Sequence, residues 1–587
     1  MSARELITEH LDLWTSAVTQ KSTRGRGSSG KIELTGIKRL RELILELAIQ
    51  GKLVEQAPDE GTALELLDSI CSEKNTQVKA KKFRNPKELP KVEAPEHPYS
   101  IPKNWEYCRL NDIGIWGAGA TPKRGNSQYY NGQIPWFKSG ELADDFIAVS
   151  EESITKLAVK ETSVRMNSPG DVLIAMYGAT IGKASILEVA GTTNQAVCAC
   201  TSWSEISNRF LLLLLKTYRP RFIAMGAGGA QPNISREKII GTVIGLPPER
   251  EQHRIVQKVD ELMALCDRLE QQTSDQLEAH ETLVDTLLGT LTQSKNATEL
   301  ADNWARLAAH FDTLFTTGQS IDKLKQTILQ LAVMGRLVEQ DAGDESTPEL
   351  LEKICLEKQR RIQAKEIKLP KALHQQDSSN LPSIPRSWSW VNLGELISLM
   401  DAGWSPACPP QPAEPAAWGV LKTTAVQIMS YLEHENKKLP TSKAPKKQYE
   451  VRSGDILITR AGPKNRVGIS CVVKETRSKL MISDKIIRFH LVEAGLSEQF
   501  VCLCLNAGET FRYLESAKSG MAESQMNISQ DKLKAAPMPL CPAKEQHRIV
   551  QKVDELMALC DRLKECLNQA SKTRCQLAEA VVEKALN

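Results

Sequence analysis

The sequence lacks any apolar run long enough to cross a bilayer. Its longest run, Phe210 to Leu215, is far shorter than the roughly 20 residues that a membrane-spanning helix needs. The first residues, Met-Ser-Ala-Arg-Glu-Leu, lack the apolar core of a secretory signal peptide. We therefore expect a cytoplasmic protein.

An excess of either charge is also missing. The 587 residues include 75 lysines and arginines against 72 aspartates and glutamates, and the formal net charge is +3. No global basic excess indicates nucleic-acid binding, so any such role has to rest on local patches. The chain is too long for one hydrophobic core, and its length predicts about three to five domains or segments.

Metal-binding cysteine spacings are absent. The 14 cysteines are scattered, and the two close pairs, Cys198 with Cys200 and Cys502 with Cys504, have one residue between them instead of two. Neither pair has histidines nearby, so we expect no zinc site. Cys266 and Cys560 fall on predicted helix seams, where cysteine acts as a small apolar residue.

Motifs of nucleotide-binding and methyl-transferring enzymes are missing too. Gly178-Ala-Thr-Ile-Gly-Lys183-Ala is similar to a phosphate-binding loop, but only three residues separate its glycines and alanine follows the lysine. There is no Asn-Pro-Pro-Tyr or Asp-Pro-Pro-Tyr motif and no set of helicase motifs. His253 and His547 lie on a predicted helix surface. We expect no catalytic residue, metal or cofactor in this chain.

What the sequence does contain is an internal repeat. Residues 251–269 return letter for letter as residues 545–563. Their apolar residues are spaced by alternating four and three positions, which is the seam of a coiled coil. One interpretation is the core helix of a duplicated domain. Packing alone leaves solvent-facing positions free to drift, however, so their identity argues for a second role, and the resemblance described below makes them candidates for partner docking. These exposed positions are Gln257, Lys258, Asp260, Glu261, Gln551, Lys552, Asp554 and Glu555.

A second repeat relates residues 37–56 to residues 321–340. Both copies predict an amphipathic helix that stops at a glycine suited to a C-terminal cap. A further helix follows in each copy, predicted over residues 64–80 and 350–364.

The first copy also carries an insertion, residues 21–31, whose glycine, serine and basic residues predict a flexible loop. Two interpretations of its four basic residues stay open, contact with phosphate or solvation of the loop.

Two blocks of different character lie between the helical repeats, each entered through a proline-rich linker. They contain short β-rich runs such as 171–177 and 455–459, and they share only a faint skeleton. The predicted segments are 1–100 (helical), 101–248 (first block), 249–383 (helical, coiled coil), 384–542 (second block) and 543–587 (coiled-coil helix). The expected fold is α/β (α+β), with two mixed α/β domains separated by long antiparallel coiled-coil helices in a pseudo-twofold repeat.

Several motifs of the first block, together with the helical repeats, resemble the DNA-specificity subunit of Type I restriction–modification systems along essentially the whole chain. They are Gly119-Ala-Thr-Pro-Lys-Arg124, Gly132-Gln-Ile-Pro-Trp-Phe-Lys138-Ser-Gly140, Gly170-Asp-Val-Leu-Ile-Ala-Met-Tyr-Gly-Ala-Thr-Ile-Gly-Lys183, Thr193-Asn-Gln195 and Asn233-Ile-Ser235. The second block departs from the pattern, because residues 400–410 replace the Thr-Pro-Lys-Arg turn.

The resemblance implies a non-catalytic subunit with two target-recognition domains, each reading one half of a split sequence in double-stranded DNA. It implies that the helical regions set the spacer and dock two adenine-methyltransferase subunits, which restriction subunits then join. S-adenosylmethionine, ATP and Mg²⁺ are then expected in those partners. Two readers on one face of B-DNA should sit about one helical turn, ~34 Å, apart, a distance that the long helices can span.

Candidate DNA-contacting residues are polar or basic and fall in predicted loops. The alternative for each is a solvated surface charge or a turn residue, and a basic side chain that meets only phosphate adds affinity without sequence information. The candidates are Thr121, Lys123, Arg124, Lys138, Tyr177, Thr180, Lys183, Asn194 and Gln195 in the first block, and Lys422, Thr423, Thr424, Arg460, Lys464, Asn465, Arg466 and Lys485 in the second.

Two other hypotheses remain beside the specificity subunit. A free-standing DNA-binding regulator is the second, and co-purification with a methyltransferase separates it from the first. A pure coiled-coil scaffold is the third, and sequence-selective DNA binding excludes it.

Overall fold

The computed structural model describes residues 8–20, 32–80, 88–226, 232–295, 297–367 and 381–586. The chain divides into two compact units. The first unit comprises residues 1–23, 29–275 and 571–587, and the second comprises residues 24–28 and 276–570. Across the described ranges, no helix is both long enough and apolar enough to cross a membrane.

The α-helices range from single turns to two helices of more than 40 residues. They are α1 (Leu11–Ser16), α2 (Thr35–Ile49), α3 (Ala63–Lys79), α4 (Lys156–Glu161), α5 (Asn208–Thr217), α6 (Arg219–Gly226), α7 (Arg236–Ile240), α8 (Glu249–Gln293), α9 (Ala297–Ala309), α10 (Phe311–Leu314), α11 (Gly318–Val333), α12 (Thr347–Gln363), α13 (Leu393–Leu396), α14 (Glu498–Asn506), α15 (Gly508–Ala517), α16 (Gln530–Lys534) and α17 (Ala543–Leu586).

The strands are short and fall mainly in the two blocks. They are β1 (Thr19–Gln20), β2 (Ile32–Glu33), β3 (Glu106–Arg109), β4 (Gly114–Ala118), β5 (Tyr130–Phe137), β6 (Phe146–Ile147), β7 (Glu152–Ile154), β8 (Val172–Ala175), β9 (Ala184–Leu187), β10 (Thr192–Thr193), β11 (Val197–Ser202), β12 (Val243–Leu246), β13 (Ser389–Asn392), β14 (Ile397–Ala402), β15 (Gly419–Leu421), β16 (Val426–Gln427), β17 (Ser430–Tyr431), β18 (Asn436–Lys438), β19 (Ile456–Thr459), β20 (Ala461–Gly462), β21 (Ser470–Val472), β22 (Leu480–Met481), β23 (Ile486–Leu491), β24 (Met526–Asn527) and β25 (Pro537–Leu540).

The block of the first unit is built on a five-stranded sheet in the order β4-β11-β8-β9-β6. All neighbours are antiparallel except β6 with β9. A second sheet has the order β10-β5-β7, and β3 pairs with β12 where the block begins and ends. The apolar run Phe210–Leu215 lies in α5, which is buried against β8 and β9. This run is therefore part of the hydrophobic core.

The block of the second unit repeats this plan with different details. Its main sheet has four strands in the order β14-β23-β19-β21, all antiparallel. Its second sheet has the order β18-β15-β22, and β13 pairs with β25 as β3 pairs with β12. The predicted α/β class is confirmed for both blocks.

The predicted seam of the long helices is buried. In the first unit, Ile255, Val259 and Cys266 of α8 have exposed fractions of 0%, 5% and 1%. Their repeat equivalents on α17, which lie in the second unit, are equally buried. The helix therefore packs through the face that its four–three spacing predicts.

Helix α2 runs antiparallel to α8 in the first unit. Near the start of α8, Arg254 forms an ion pair of 2.6 Å with Glu60, which follows α2 in the chain. Further along α8, Asp267 accepts a hydrogen bond of 2.8 Å from Arg41, in the first half of α2. Residue numbers rise along one helix as they fall along the other, so the two helices point in opposite directions.

The last part of α17 runs parallel to α2 in the same unit. The Ser571 hydroxyl donates to the Val18 carbonyl at 2.6 Å, and Glu579 pairs with Arg39 at 3.1 Å. Both sets of residue numbers rise together. Because α8 is antiparallel to α2, the segments of α8 and α17 within the first unit are antiparallel to each other.

In the second unit, the first half of α17 takes the place that the first half of α8 has in the first unit, and the second half of α8 takes the place of the second half of α17. Lys325 of α11 pairs with Asp561 on the first half of α17, and Lys323 pairs with Asp285 on the second half of α8 at 2.7 Å. These four residues hold the same repeat positions as the pairs Arg41–Asp267 and Arg39–Glu579 of the first unit. Each unit is therefore assembled from the first half of one long helix and the second half of the other, so the internal repeat of the sequence is also a repeat of structure.

Candidate nucleic-acid interface

Sheet topology brings several loops of the first block to one end of its main sheet. Because β4, β11, β8 and β9 are successive antiparallel neighbours, β4 and β8 end where β11 and β9 begin. The strand register shows this: Ala118 at the end of β4 pairs with Cys198, and Ala175 at the end of β8 pairs with Val197, both at the start of β11. The loops that follow β4 and β8 therefore emerge beside the loop that precedes β11.

Backbone hydrogen bonds join these loops and add the end of β5. The Ala120 amide donates to the Thr193 carbonyl at 3.1 Å, and the Asn194 amide donates to the Phe137 carbonyl at 3.0 Å. We call residues 119–124, 138–141, 176–183 and 194–195 the first loop cluster. All nine candidates predicted in the first block lie in it, namely Thr121, Lys123, Arg124, Lys138, Tyr177, Thr180, Lys183, Asn194 and Gln195.

Arg124 is held by a carboxylate and by two aromatic rings. Its Nη1 donates to Glu152 Oε2 at 2.5 Å, and its Nη2 donates to Glu152 Oε1 at 3.4 Å. The guanidinium carbon lies 4.9 Å from the ring centroid of Tyr130 and 4.9 Å from that of Trp136. The hydrogen bond and the charge of Glu152 raise the pKa of Arg124, and the same bond lowers the pKa of Glu152.

Lys138 lies among carboxylates of the same cluster. Its Nζ is 2.8 Å from Glu151 Oε2, 3.1 Å from Glu152 Oε1 and 3.9 Å from Glu141 Oε1. Hydrogen bonds to Glu151 and Glu152 raise the pKa of the lysine. A phosphate that approached Lys138 would have to displace these acidic neighbours.

The other candidates of the first loop cluster differ in exposure. Lys123, Gln195 and Tyr177 are exposed, and 43% of Tyr177 is accessible. Thr180 is half-buried, and its hydroxyl donates to the Tyr177 carbonyl at 2.8 Å. Asn194 caps its own turn by accepting from the Ala196 amide at 3.1 Å. Thr121 and Lys183 are half-buried.

The second block presents an equivalent set of loops. Strand β14 ends beside the start of β23, where Ala402 pairs with Ile487, and β19 ends there as well, where Thr459 pairs with Ile486. Lys422 to Thr424 follow β15, whose parallel neighbour β22 leads into Ile482, the acceptor of the Trp404 amide. We call residues 403–408, 422–424, 460–469 and 483–485 the second loop cluster. It contains all eight candidates of the second block.

Two carboxylates hold candidate residues of the second loop cluster. Glu523 pairs with Lys464 at 2.9 Å. Glu435 accepts from the Thr424 hydroxyl at 2.6 Å and lies 3.5 Å from Lys422 Nζ. Two further candidates, Lys485 and Asn465, are exposed. The Arg460 amide donates to the Lys485 carbonyl at 2.9 Å, which joins their two loops.

Arg466 points into the protein. Its Nη2 donates to the carbonyls of Thr423 and Val426 at 2.8 and 2.7 Å, and its Nη1 donates to Gln427 Oε1 at 3.1 Å. Burial lowers its pKa. The side chain therefore ties the loop after β19 to residues 423–427 in this state of the protein.

The close cysteine pairs belong to the sheet and helix cores. Cys198 and Cys200 lie on β11, and Cys502 and Cys504 lie on α14, all fully buried. Burial raises the pKa of Cys198 and of Cys502 to about 12. These thiols therefore stay protonated and pack as small apolar groups.

Sequence reasoning missed the residues that orient the candidates. Glu152, Tyr130 and Trp136 surround Arg124 but belong to β7 and β5. Asn233 was noted only as a motif residue, yet its backbone pairs with that of Tyr177. The aromatic residues Tyr130 and Trp136 follow the basic turn closely in the sequence, and this was the signal that could have identified them as neighbours of Arg124. Nothing in the local sequence pattern indicates Glu152.

The predicted docking positions lie on the surface in both copies. Asp260 pairs with Arg209 at 2.9 Å, and its equivalent Asp554 lies 3.8 Å from Lys474. All but Lys258, which is partly exposed, are exposed residues of α8 and α17: Gln257, Asp260, Glu261, Gln551, Lys552, Asp554 and Glu555. The basic insertion, residues 21–31, lies outside the described residues.

Comparisons with known proteins agree on one family. A family model for the Type I restriction modification DNA specificity domain matches residues 102–279. The chain is 46% identical to the Type I restriction enzyme EcoEI specificity subunit of Escherichia coli and 35% identical to the EcoAI specificity subunit of the same species, each over 100% of both proteins. The solved structure of the HsdS subunit from Thermoanaerobacter tengcongensis is 19% identical with a TM-score of 0.41, over 84% of this chain and 98% of that one.

Proposed function

Because the chain belongs to the family of Type I restriction–modification DNA-specificity subunits, we propose that each of its two blocks reads one half of a bipartite DNA sequence. The observation that carries the proposal is the pair of loop clusters. Each lies at one end of a sheet, and their side chains differ while the helices around them are duplicated. Direct readout needs polar side chains held by a rigid support, and the backbone bonds between the loops supply that support.

The proposal divides the candidates by role. Exposed cations such as Lys123 and Lys485 contact phosphates, which sets affinity and register. Polar groups held by neighbours, such as Thr424, approach base edges. The proposed site of action is the cytoplasm, because the substrate is DNA.

We propose that the duplicated surface of α8 and α17 docks two copies of one methyltransferase subunit. Equivalent surfaces bind equivalent subunits, and the four predicted docking positions carry the same residues in the two copies. Restriction subunits then join through the methyltransferases. On this proposal the specificity subunit is the non-catalytic component, and S-adenosylmethionine, ATP and Mg²⁺ are bound by its partners.

The test is an exchange of blocks in the complete complex. Residues 101–248 are replaced by the corresponding block of a relative with a different target, and methylated adenines are mapped in cellular DNA. We expect one half of the recognised sequence to change, while the other half and the spacer stay the same. The matched control replaces residues 384–542 and should change the opposite half.

A changed spacer, or a change in both halves after either exchange, would contradict the proposal. Failure of the unchanged chain to co-purify with a methyltransferase while it still binds DNA selectively would favour a free-standing regulator.

A further inference from the structure

Arg124 has the geometry of a side chain prepared for an incoming ligand. Two of its five N–H groups donate to Glu152, and its guanidinium carbon is equidistant, at 4.9 Å, from the rings of Tyr130 and Trp136. The side chain is nevertheless 55% exposed. The conformation is thus fixed before binding, while three N–H groups remain for a partner.

The loop that carries Arg124 does not need Arg124 to hold its shape. The Tyr130 hydroxyl donates to the Pro122 carbonyl at 2.5 Å, and Trp136 Nε1 donates to the Ala120 carbonyl at 3.1 Å. The aromatic rings therefore anchor the turn through its backbone. An arginine that serves only as a structural staple would be redundant here.

Orientation separates Arg124 from Lys123, its neighbour in the same loop. Lys123 is exposed, and a lysine meets phosphate as a mobile point charge. An oriented guanidinium can instead offer two parallel donors to the N7 and O6 acceptors of guanine in the major groove. Ordering the side chain in advance also lowers the entropic cost of that contact.

Glu152 contributes a second property. Its carboxylate lies between Arg124 and Lys138, at 2.5 Å from one and 3.1 Å from the other. A negative charge at this point opposes the approach of the DNA backbone. Contact with phosphate alone is disfavoured, whereas a base edge that takes the free N–H groups of Arg124 leaves the ion pair intact.

We propose that Arg124 is a specificity-determining residue that reads a guanine in the half-sequence of the first block, and that Glu152 is its positioning residue. The inference rests on the proposed function of the blocks and adds to it the class of base and the residue that reads it. Glu152 also lowers the affinity of the first loop cluster for DNA of any sequence.

The test uses the full chain in complex with its methyltransferase subunits and a library of duplexes randomised over the first half-sequence. Arg124→Ala and Arg124→Lys are compared with Lys123→Ala. We expect Arg124→Ala to lose roughly ten- to hundredfold discrimination at one guanine. Arg124→Lys should lose part of it, because lysine keeps the charge and can reach the guanine acceptors but lacks the two parallel N–H donors. Lys123→Ala should weaken binding to all sequences alike and reduce the salt dependence by about one phosphate contact.

Glu152→Gln tests the positioning role. It keeps the size of the side chain and removes its charge, so discrimination at the same guanine should fall severalfold while binding to random DNA strengthens. If Glu152 had only a structural role, the substitution would lower thermal stability but leave unchanged both the discrimination at the guanine and the affinity for random DNA. Arg360→Ala, which removes an exposed ion pair on α12, is the control and should alter neither.

Retained discrimination in Arg124→Ala would overturn base reading and leave at most a phosphate contact. An unchanged preference and unchanged random-DNA affinity in Glu152→Gln would overturn the positioning role. If the unaltered complex shows no preference in the first half-sequence, the proposed function fails and this inference fails with it.

Discussion

The turns that follow β4 and β14 leave their sheets in the same way. Gly119 and Gly403 each lie so close to a neighbouring carbonyl that an added Cβ would be 2.3 Å and 1.9 Å away from it. The next amides donate to the carbonyls of Thr193 and Ile482, both at 3.1 Å. In both blocks, therefore, a glycine packed against a carbonyl and one backbone hydrogen bond fix the start of this loop.

Beyond this shared point the two turns carry different chemistry. Five residues after Gly119 stands Arg124, which is exposed and paired with a carboxylate. Five residues after Gly403 stands Cys408, which is half-buried against the apolar cluster of the second block. Among the described residues of the second block, the only cation over an aromatic ring is Lys446. Its Nζ lies 4.7 Å from the centroid of the Trp404 ring.

This difference teaches where the molecule can vary. The glycine and the hydrogen bond fix where the loop leaves the sheet, because any side chain at the glycine would collide with backbone. The residues that follow contact solvent or the second sheet of the block, as Arg124 and Cys408 do, so they can change without disturbing the main sheet. Support that the two blocks share, with loops that differ, is what a protein needs in order to read different targets on one scaffold.

The largest effect we expect comes from altering the shared helices instead of the loops. Two and four residues are inserted after Ser274, within α8. Four residues add about one helical turn, ~6 Å, and keep the apolar face nearly in phase, whereas two residues rotate everything downstream by ~200°. The four-residue variant should lengthen the spacer by about one or two base pairs, at ~3.4 Å each, and leave both half-sequences unchanged. The two-residue variant should lose assembly.

The measurements are co-purification with the methyltransferase and a map of methylated adenines for each variant. A four-residue variant with full activity and an unchanged spacer would show that α8 does not set the distance.

A smaller effect should separate the two arginines of the loop clusters. Arg466→Ala removes three hydrogen bonds and leaves two carbonyls without this donor, which we expect to lower the free energy of unfolding by about 1–3 kcal/mol. Arg124→Ala removes an exposed ion pair and ring contacts and should cost no more than about 1 kcal/mol. Thermal unfolding of the two variants, measured side by side, tests the contrast. Equal shifts would mean that Arg124 is as structural as Arg466.

The repeated helices were predictable because their signals are local. Residues 64–80 and 350–364 were predicted as helices, and the structure has Ala63–Lys79 and Thr347–Gln363. The apolar seam follows from spacing in the same way. Such features need only neighbours within two turns of helix.

The details of the loop clusters were not predictable from local patterns. Glu152 meets Arg124 only because β7 pairs with β5 and the turn after β4 folds over β5. Likewise, the inward direction of Arg466 depends on the carbonyls of residues 423 and 426, about 40 positions earlier. Sequence could place basic residues in loops, but not state which of them are neutralised by a distant carboxylate or turned into the protein. Whether the candidates contact DNA stays a prediction.

The smallest effect concerns the ion pairs that hold equivalent positions in the two units. Asp267 pairs with Arg41, and Asp561 pairs with Lys325, and the two carboxylates are 68% and 66% exposed. Exposed pairs contribute about 0–1 kcal/mol and are screened by salt.

Asp267→Asn and Asp561→Asn should therefore each lower the free energy of unfolding by less than about 1 kcal/mol at low salt, and by less still at high salt. Asp267→Asn should cost slightly less, because Arg41 keeps Glu270 as a second partner. The two pairs share no residue, so the double variant should equal the sum of the single ones. Urea unfolding at two salt concentrations measures all three variants. If one variant lost severalfold more free energy of unfolding than the other, the duplicated ion pairs would contribute unequally to stability. The two units would then differ in their helices as well as in their loops.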